Sequence, residues 1–195
     1  MQNVDDPERC FSSLPASNLL KERLQLKNPS AVFHCLGRLK RYPSATLLYH
    51  TQVGFKPITQ EDYCLTFGFT EEQFDNRWHG GVATIEESRG TDVWGVIWKM
   101  SKDNLDSLDK QEAVDTGMYS PLEVMVETDM GEILCRTYRM NRFRTSPPSP
   151  QYKEVVCLGA QQNGLPPDYI KRLEAMQTNN YAGPSILDEI KKAMK

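Results

Sequence analysis

"VWGVIWKMSKDNLDSLDKQEAVDTGMY", residues 93–119, joins a strand pattern to a helix pattern. Its first part is apolar at both alternating sets of positions, which predicts a strand over residues 92–100 that is covered on both faces. A helix is predicted to begin at Ser101 and to run to about Ala113, with Leu108 on its buried side. Because an apolar strand pattern follows, this acidic helix must turn towards the interior where it ends.

Further elements are predicted on both sides of this stretch. Strands are predicted at residues 32–39 and 82–85, and a hairpin joins residues 122–128 to 132–140. Residues 146–150, SPPSP, are predicted to form a stiff extended loop. Helices are predicted at residues 17–24, 168–176 and 185–194. No repeat or flexible linker divides the chain, so we predict one α+β domain whose mixed β-sheet closes into a small barrel with flanking helices.

The composition is that of an ordinary globular protein. The chain has 195 residues, of which 39% are apolar and 25% are charged. A net charge of −3 argues against nucleic acid or an anionic membrane as a partner, because both favour a basic surface. Basic residues do gather at Arg136, Arg139, Arg142 and Arg144, but this short strip is more typical of a solvated strand face than of a phosphate track.

The cysteines and histidines indicate the cellular compartment of the protein and whether it binds a metal. The five cysteines are scattered and show no CxxC spacing, which favours reduced thiols in the cytosol over disulfides or a zinc site. The three histidines form no metal-binding motif, so no metal is predicted. The N-terminus shows no signal-peptide pattern and no apolar run is long enough to span a bilayer, so the sequence predicts a cytoplasmic protein.

The residues alone leave the candidate site open. Glu112 is one of several carboxylates on a helix, and such carboxylates are usually solvated. Ser17 and Asn18 are compatible with a plain helix N-cap as well as with an anion site. Tyr152 is compatible with a half-buried ring at the end of a loop as well as with a binding residue.

Four segments follow one another along the chain: SNLLKERLQLKNPSAVF (residues 17–33), WHGGVATI (78–85), the stretch quoted above, and PPSPQYKEVVCLGAQQNGLP (147–166). In this order they closely resemble the γ-glutamylcyclotransferases. The resemblance is to the general enzymes rather than to their glutathione-specific relatives, and it covers most of residues 17–168. It implies a small-molecule γ-glutamyl amino acid substrate, which is cyclised to 5-oxoproline with release of the free amino acid. It also implies a homodimer. No cofactor is implied, because the substrate's own α-amine is the nucleophile.

The resemblance implies roles for particular residues. Glu112 corresponds to the family's catalytic glutamate, which takes a proton from the α-ammonium and returns it to the departing nitrogen. Burial in a pocket is expected to raise the pKa of such a carboxylate. The residues expected to form or support the substrate site are Ala16, Ser17, Asn18, Tyr119 and Tyr152.

The sequence departs from the family pattern in two places. Pro15-Ala16 stands where the family has Tyr-Gly before Ser-Asn, and residues 41–61 have no counterpart. We therefore divide the chain into a divergent N-terminal segment, residues 1–16, and a family-like domain, residues 17–195, with an insertion at 41–61. A second hypothesis follows: a catalytically impaired variant of the same fold that acts as a dimer or interaction partner. Whether residues 10–16 form the strand and turn of the family discriminates between the two hypotheses.

Overall fold

The barrel is built around the strand that the opening stretch predicts. The computed structural model describes residues 9–14, 32–40, 63–71 and 76–184. In this part of the chain, strand β5 (Trp94–Ser101) lies between β1 (Arg9–Leu14) and β2 (Val32–Lys40), and pairs antiparallel with both. Its neighbouring residues Val96 and Ile97 are both fully buried. Since successive side chains point to opposite faces, β5 is covered on both sides, as predicted.

The hairpin of β6 (Tyr119–Thr128) and β7 (Gly131–Met140) completes the barrel. The strand order is β1-β5-β2-β6-β7, and the barrel closes where β1 meets β7 in a parallel pairing, Ser12 opposite Arg136. A second sheet has the order β4-β3-β8, with β3 at Tyr63–Phe69, β4 at Val82–Glu87 and β8 at Arg144–Thr145. The α+β fold with a mixed sheet that closes into a barrel is therefore confirmed.

Three α-helices flank the sheets in the described ranges. A 3₁₀ turn (Lys102–Asn104) leads into α1 (Leu105–Gln111), so the helix predicted from Ser101 is α-helical only in its second part. Helix α2 spans Pro150–Gln162 and α3 spans Pro167–Glu174. No helix among the described residues combines the length and the apolar character needed to cross a membrane.

The sequence analysis missed β3 and α2. The proline-rich residues 146–150 were predicted to be loop throughout, whereas Pro150 is the first residue of α2, where a missing N–H costs nothing. Ser149 caps this helix by accepting a hydrogen bond from the Tyr152 amide at 3.2 Å. The helices predicted at residues 17–24 and 185–194, like the insertion at 41–61, lie outside the described residues, and the proposed segment boundaries stay a prediction.

An ion pair holds α3 against the start of β5. Arg172 donates to both carboxylate oxygens of Asp92, at 3.0 and 3.2 Å, and the Trp94 indole donates to Asp92 Oδ2 at 2.8 Å. Burial raises the pKa of Asp92, but the hydrogen bond and charge of Arg172 outweigh it, so the pKa of Asp92 is lowered overall. The ionised form of Asp92 thus stabilises the folded chain.

We expect Asp92→Asn to lower the thermal midpoint in a pH-dependent way. Since the pKa of Asp92 is lower in the folded than in the unfolded chain, its contribution is complete above about pH 5 and is lost as the pH falls below about 4. The difference in midpoint between parent and variant should therefore close on acidification, as followed by circular dichroism. Asp168→Asn is the control, because Asp168 is highly exposed in its pair with Lys171 and should give only a small difference. A gap for Asp92→Asn that widens towards pH 3 would contradict this role.

Candidate active site

Glu112 is the residue at which helix α1 ends. Its amide donates to the Leu108 carbonyl at 2.9 Å, and the next two amides close a Schellman motif. The Ala113 amide donates to Lys110 O at 3.2 Å, and the Val114 amide donates to Asp109 O at 3.0 Å. Val114 packs against the same apolar cluster as the fully buried Leu108. This turn brings Val114 back against the core after an otherwise polar helix.

Ala113 occupies the position of this motif that favours glycine. Its φ is +52°, in the left-handed region where the Cβ of an L-residue crowds the following carbonyl oxygen. We expect Ala113→Gly to raise the free energy of unfolding by about 0.5–1 kcal/mol and the midpoint by about 1–4 °C, because relief of strain outweighs the extra unfolded-state entropy. Ala175→Gly is the matched control, since Ala175 also ends a helix but has a φ of −78°. Equal loss of stability in both variants would show that Ala113 carries no strain.

The chain runs from this turn to Tyr119, which interacts electrostatically with Glu112. The Met118 amide donates to Ala113 O at 3.1 Å, and β6 begins at the next residue. The Tyr119 hydroxyl donates to the carbonyl of Ala83 in β4 at 2.9 Å. Burial raises the pKa of Tyr119 well above its ordinary value, and the proximity of Tyr152 and Glu112 raises it further. The Tyr119 hydroxyl is therefore protonated and serves as a hydrogen-bond donor next to the carboxylate.

Tyr152 approaches the same point from helix α2. Its hydroxyl accepts a hydrogen bond from the Ala83 amide at 3.1 Å, so the two tyrosines bond to the two backbone groups of one residue. Its ring meets Trp78 edge-on, with the ring centroids 4.8 Å apart. The side chain is only 3% exposed and belongs to a helix, so its interpretation as a half-buried ring at a loop end is wrong.

Two glycines allow β4 to approach α2 this closely. A Cβ on Gly81 would lie 2.1 Å from Ser146 O, and a Cβ on Gly80 would lie 2.6 Å from Ser149 N. The Gly81 amide donates to Pro147 O at 3.0 Å, which ties the start of β4 to the loop before α2. The sequence analysis did not identify these glycines or Ala83 as part of the site. The adjacent pair Gly80-Gly81 was the available signal, since glycine marks close backbone approach.

Of the residues that the resemblance implied, the structure brings Tyr119 and Tyr152 together at Ala83, and Glu112 interacts electrostatically with Tyr119. Ala16, Ser17 and Asn18 lie outside the described residues, and the roles of all six stay proposals. Within the described ranges, no group of three or more histidine, cysteine or carboxylate side chains could hold a metal ion. The arrangement can position one carboxylate beside a buried phenol, which suits proton transfer to and from a small molecule.

The arginines of the 136–144 strip are engaged in ion pairs. Arg136 pairs with Asp109 at 2.7 Å, Arg139 with Glu87 at 3.3 Å and Arg144 with Glu71 at 3.2 Å. Arg139 and Arg144 are exposed, as expected for a solvated strand face, whereas Arg136 is mostly covered. Three of the four positive charges are thus neutralised locally.

Comparisons with known proteins show which class of protein has this barrel and this site. Residues 92–173, which include Glu112, Tyr119 and Tyr152, match the model of the AIG2-like family. A solved structure called gamma-glutamyl cyclotransferase has a TM-score of 0.80 and 44% identity to this chain, and covers 95% of this chain and 99% of its own.

Two curated relatives narrow the class further. Gamma-glutamylcyclotransferase of Bos taurus is 47% identical over 180 residues, which cover 92% of this chain and 84% of the relative. The protein of the same name from Homo sapiens is 45% identical over the same shares. This chain belongs to the gamma-glutamylcyclotransferase family.

Proposed function

We propose that this protein is a γ-glutamylcyclotransferase that converts γ-glutamyl amino acids to 5-oxoproline and a free amino acid. The observation that supports the proposal is that Glu112, at the end of α1, interacts electrostatically with Tyr119, which shares Ala83 with Tyr152. The family relationship supports the reaction class, since relatives that cover most of the chain bear this name.

In the proposed reaction, the substrate's α-amino nitrogen attacks its own γ-carbonyl carbon. The new C–N bond closes the five-membered ring, and the bond from the same carbon to the amino-acid nitrogen breaks. The attacking nitrogen loses two protons and the departing nitrogen gains two, so Glu112 ends ionised as it began. Because nucleophile and electrophile share one molecule, holding the chain in its closed conformation supplies much of the rate enhancement. This reaction needs no cofactor.

The N-terminal strand favours the catalytic hypothesis over the impaired variant. Residues Arg9–Leu14 form β1 and pair with β5 over its whole length, from Arg9 opposite Ser101 to Leu14 opposite Val96. The divergent N-terminal segment, residues 1–16, thus still forms strand β1, which precedes the residues proposed to bind substrate. Ala16, Ser17 and Asn18, directly after this strand, are proposed to bind the glutamyl group.

We further propose a cytosolic homodimer that binds neither nucleic acid nor membrane. The net charge of −3 supports the absence of a polyanionic partner. Cys64 and Cys157 are free thiols, which supports a reducing compartment. The homodimer rests on the family relationship alone, and sedimentation of the purified chain would test it.

Release of 5-oxoproline from γ-glutamyl-alanine tests the proposed function directly. We expect mass spectrometry to detect 5-oxoproline and alanine in equal amounts, at a rate proportional to the concentration of folded protein. A cooperatively folded chain that forms no 5-oxoproline from any γ-glutamyl amino acid would contradict the proposal. That result would favour the alternative, a non-catalytic partner of the same fold.

A further inference from the structure

Helix α1, which ends at Glu112, is too short to hold its own position. It spans seven residues, Leu105–Gln111, and isolated helices of this length do not persist in water. Its placement therefore depends on tertiary contacts. Leu108 supplies one, because it is fully buried in the core. A single fully buried side chain within the helix restrains rotation about its axis only weakly, so a polar contact on another side of the helix helps to aim Glu112.

Asp109 supplies the second contact through an ion pair with the barrel. Arg136 Nη2 donates to the two carboxylate oxygens of Asp109 at 2.9 and 2.7 Å. The Tyr138 hydroxyl donates to Asp109 Oδ1 at 2.6 Å and accepts from Arg136 Nε at 3.3 Å. Arg136 and Tyr138 lie on the same face of β7, two residues apart. Burial and then the Asp109 carboxylate raise the pKa of Tyr138, so its hydroxyl stays a donor.

Around the helix axis, Glu112 lies between Leu108 and Asp109. At about 100° per residue, Asp109 points about 100° around the helix from Leu108, and Glu112 points about 40° from it. Glu112 therefore projects between the direction of the core and the direction of β7. The backbone strengthens the link, since the Asp109 carbonyl also accepts the Val114 amide of the turn that follows Glu112.

We propose that the Arg136–Asp109 ion pair is a positioning and charge-compensating device for Glu112. This inference rests on the proposed function, in which Glu112 is the proton carrier. The ion pair fixes the rotation of α1, and it neutralises the carboxylate that lies one helical turn from Glu112. Arg136 and Asp109 act through Glu112 and need not touch the substrate.

The charge balance predicts opposite effects for the two partners. Residues three apart on a helix have Cβ atoms about 5–6 Å apart, so Asp109 and Glu112 are neighbours. Without Arg136, the bare Asp109 carboxylate disfavours ionisation of Glu112; without Asp109, the bare Arg136 cation favours it. Among the described residues, Tyr119 also interacts electrostatically with Glu112; its raised pKa keeps the phenol neutral, and it is unchanged in these variants.

The experiment compares Arg136→Met, Asp109→Asn and the double variant by the pH dependence of 5-oxoproline release. The acid limb of the pH profile of kcat/KM reports the pKa of the essential base of the free enzyme and the pKa values of the free substrate. Because all variants receive the same substrate, a difference between their acid limbs reports the base. We expect the limb to move up by about half a pH unit in Arg136→Met and down by a similar amount in Asp109→Asn. It should return to the parent position in the double variant. All three should lower kcat at least tenfold, because the helix is no longer held.

A conservative variant separates geometry from charge. Arg136→Lys keeps the cation but loses the planar fork, so we expect the parent acid limb together with a reduced kcat. Arg139→Met is the matched control, because Arg139 lies on the same strand and pairs with Glu87 at 3.3 Å, away from α1. It should leave both readouts unchanged. Thermal unfolding of each variant confirms that folded proteins are compared.

A second readout works without turnover. ¹³C NMR titration of the Glu112 carboxyl in the same variants should show the same opposite shifts. Shifts in one direction, or none, in folded Arg136→Met and Asp109→Asn would overturn the inference. A folded parent chain that forms no 5-oxoproline would contradict the proposed function instead, and a Glu112→Gln protein as active as the parent would refute the role of Glu112. If Glu112→Gln is inactive but the acid limb does not move in Arg136→Met or Asp109→Asn, the ion-pair inference alone is refuted.

Discussion

Replacing Glu112 by glutamine is expected to lower kcat for 5-oxoproline release by about 10²–10⁴-fold while leaving the fold intact. The amide has the shape of the carboxylate, and Glu112 is partly exposed at the end of α1, so the turn should form unchanged. The amide cannot accept a proton from the α-ammonium, which therefore stays unreactive. Steady-state assays at matched folded concentration measure the effect, with circular dichroism as the check on folding.

Asp106→Asn is the control for this substitution. Asp106 is an exposed carboxylate in the first turn of the same helix, so the change removes one negative charge from α1 without reaching the site. We expect the Asp106 variant to retain the parent kcat. A Glu112→Gln protein with more than half of the parent rate would refute the role of Glu112 in proton transfer.

Replacing Gly81 by alanine is expected to lower the free energy of unfolding by about 3 kcal/mol or more. The added Cβ would meet the Ser146 carbonyl oxygen at 2.1 Å and the Gly68 amide nitrogen at 3.0 Å, and neither backbone atom can rotate away. Relief requires β4 to separate from the loop before α2, which also displaces Ala83 from Tyr152. For a chain of this size, the midpoint should fall by about 6–12 °C.

Gly131→Ala gives the matched comparison. Gly131 begins β7 with a φ of +111°, and no atom lies within 4 Å of the position of an added Cβ. Its variant should therefore show only backbone strain, about 1–2 kcal/mol. If Gly81→Ala were no more destabilising than Gly131→Ala, the close approach of β4 to α2 would not be a determinant of this fold.

The sequence predicts elements whose signal is local. Strand β5 has apolar residues on both of its faces. The β6–β7 hairpin turns at Gly131, whose φ is positive. Both elements were therefore predicted close to their observed bounds. Helix α2 was missed because small residues line much of its buried side, such as Gly159 and Ala160, and they give a weak apolar pattern. Strand β3 was missed for a related reason, since its buried and partly buried residues do not alternate.

The same distinction applies to the candidate site. Glu112 and Tyr119 are seven residues apart, and the family resemblance of that one segment is enough to propose them together. No local pattern reveals that Tyr152 and Tyr119 bond to the same residue, Ala83, because these contacts span 69 and 36 positions. The pairing of Asp109 with Arg136 spans 27 positions and is equally invisible in the sequence.

By itself, the sequence determined the fold class, through side-chain periodicity and turn residues. It also determined the family, through the resemblance of four ordered segments, and that resemblance is what proposes Glu112 as the proton carrier. Only the tertiary structure decided which backbone groups hold the two tyrosines and which arginine pairs with Asp109. The physical reason is that a two-turn helix has too little intrinsic stability to set its own orientation, so the core beneath Leu108 and the barrel strand β7 set it instead.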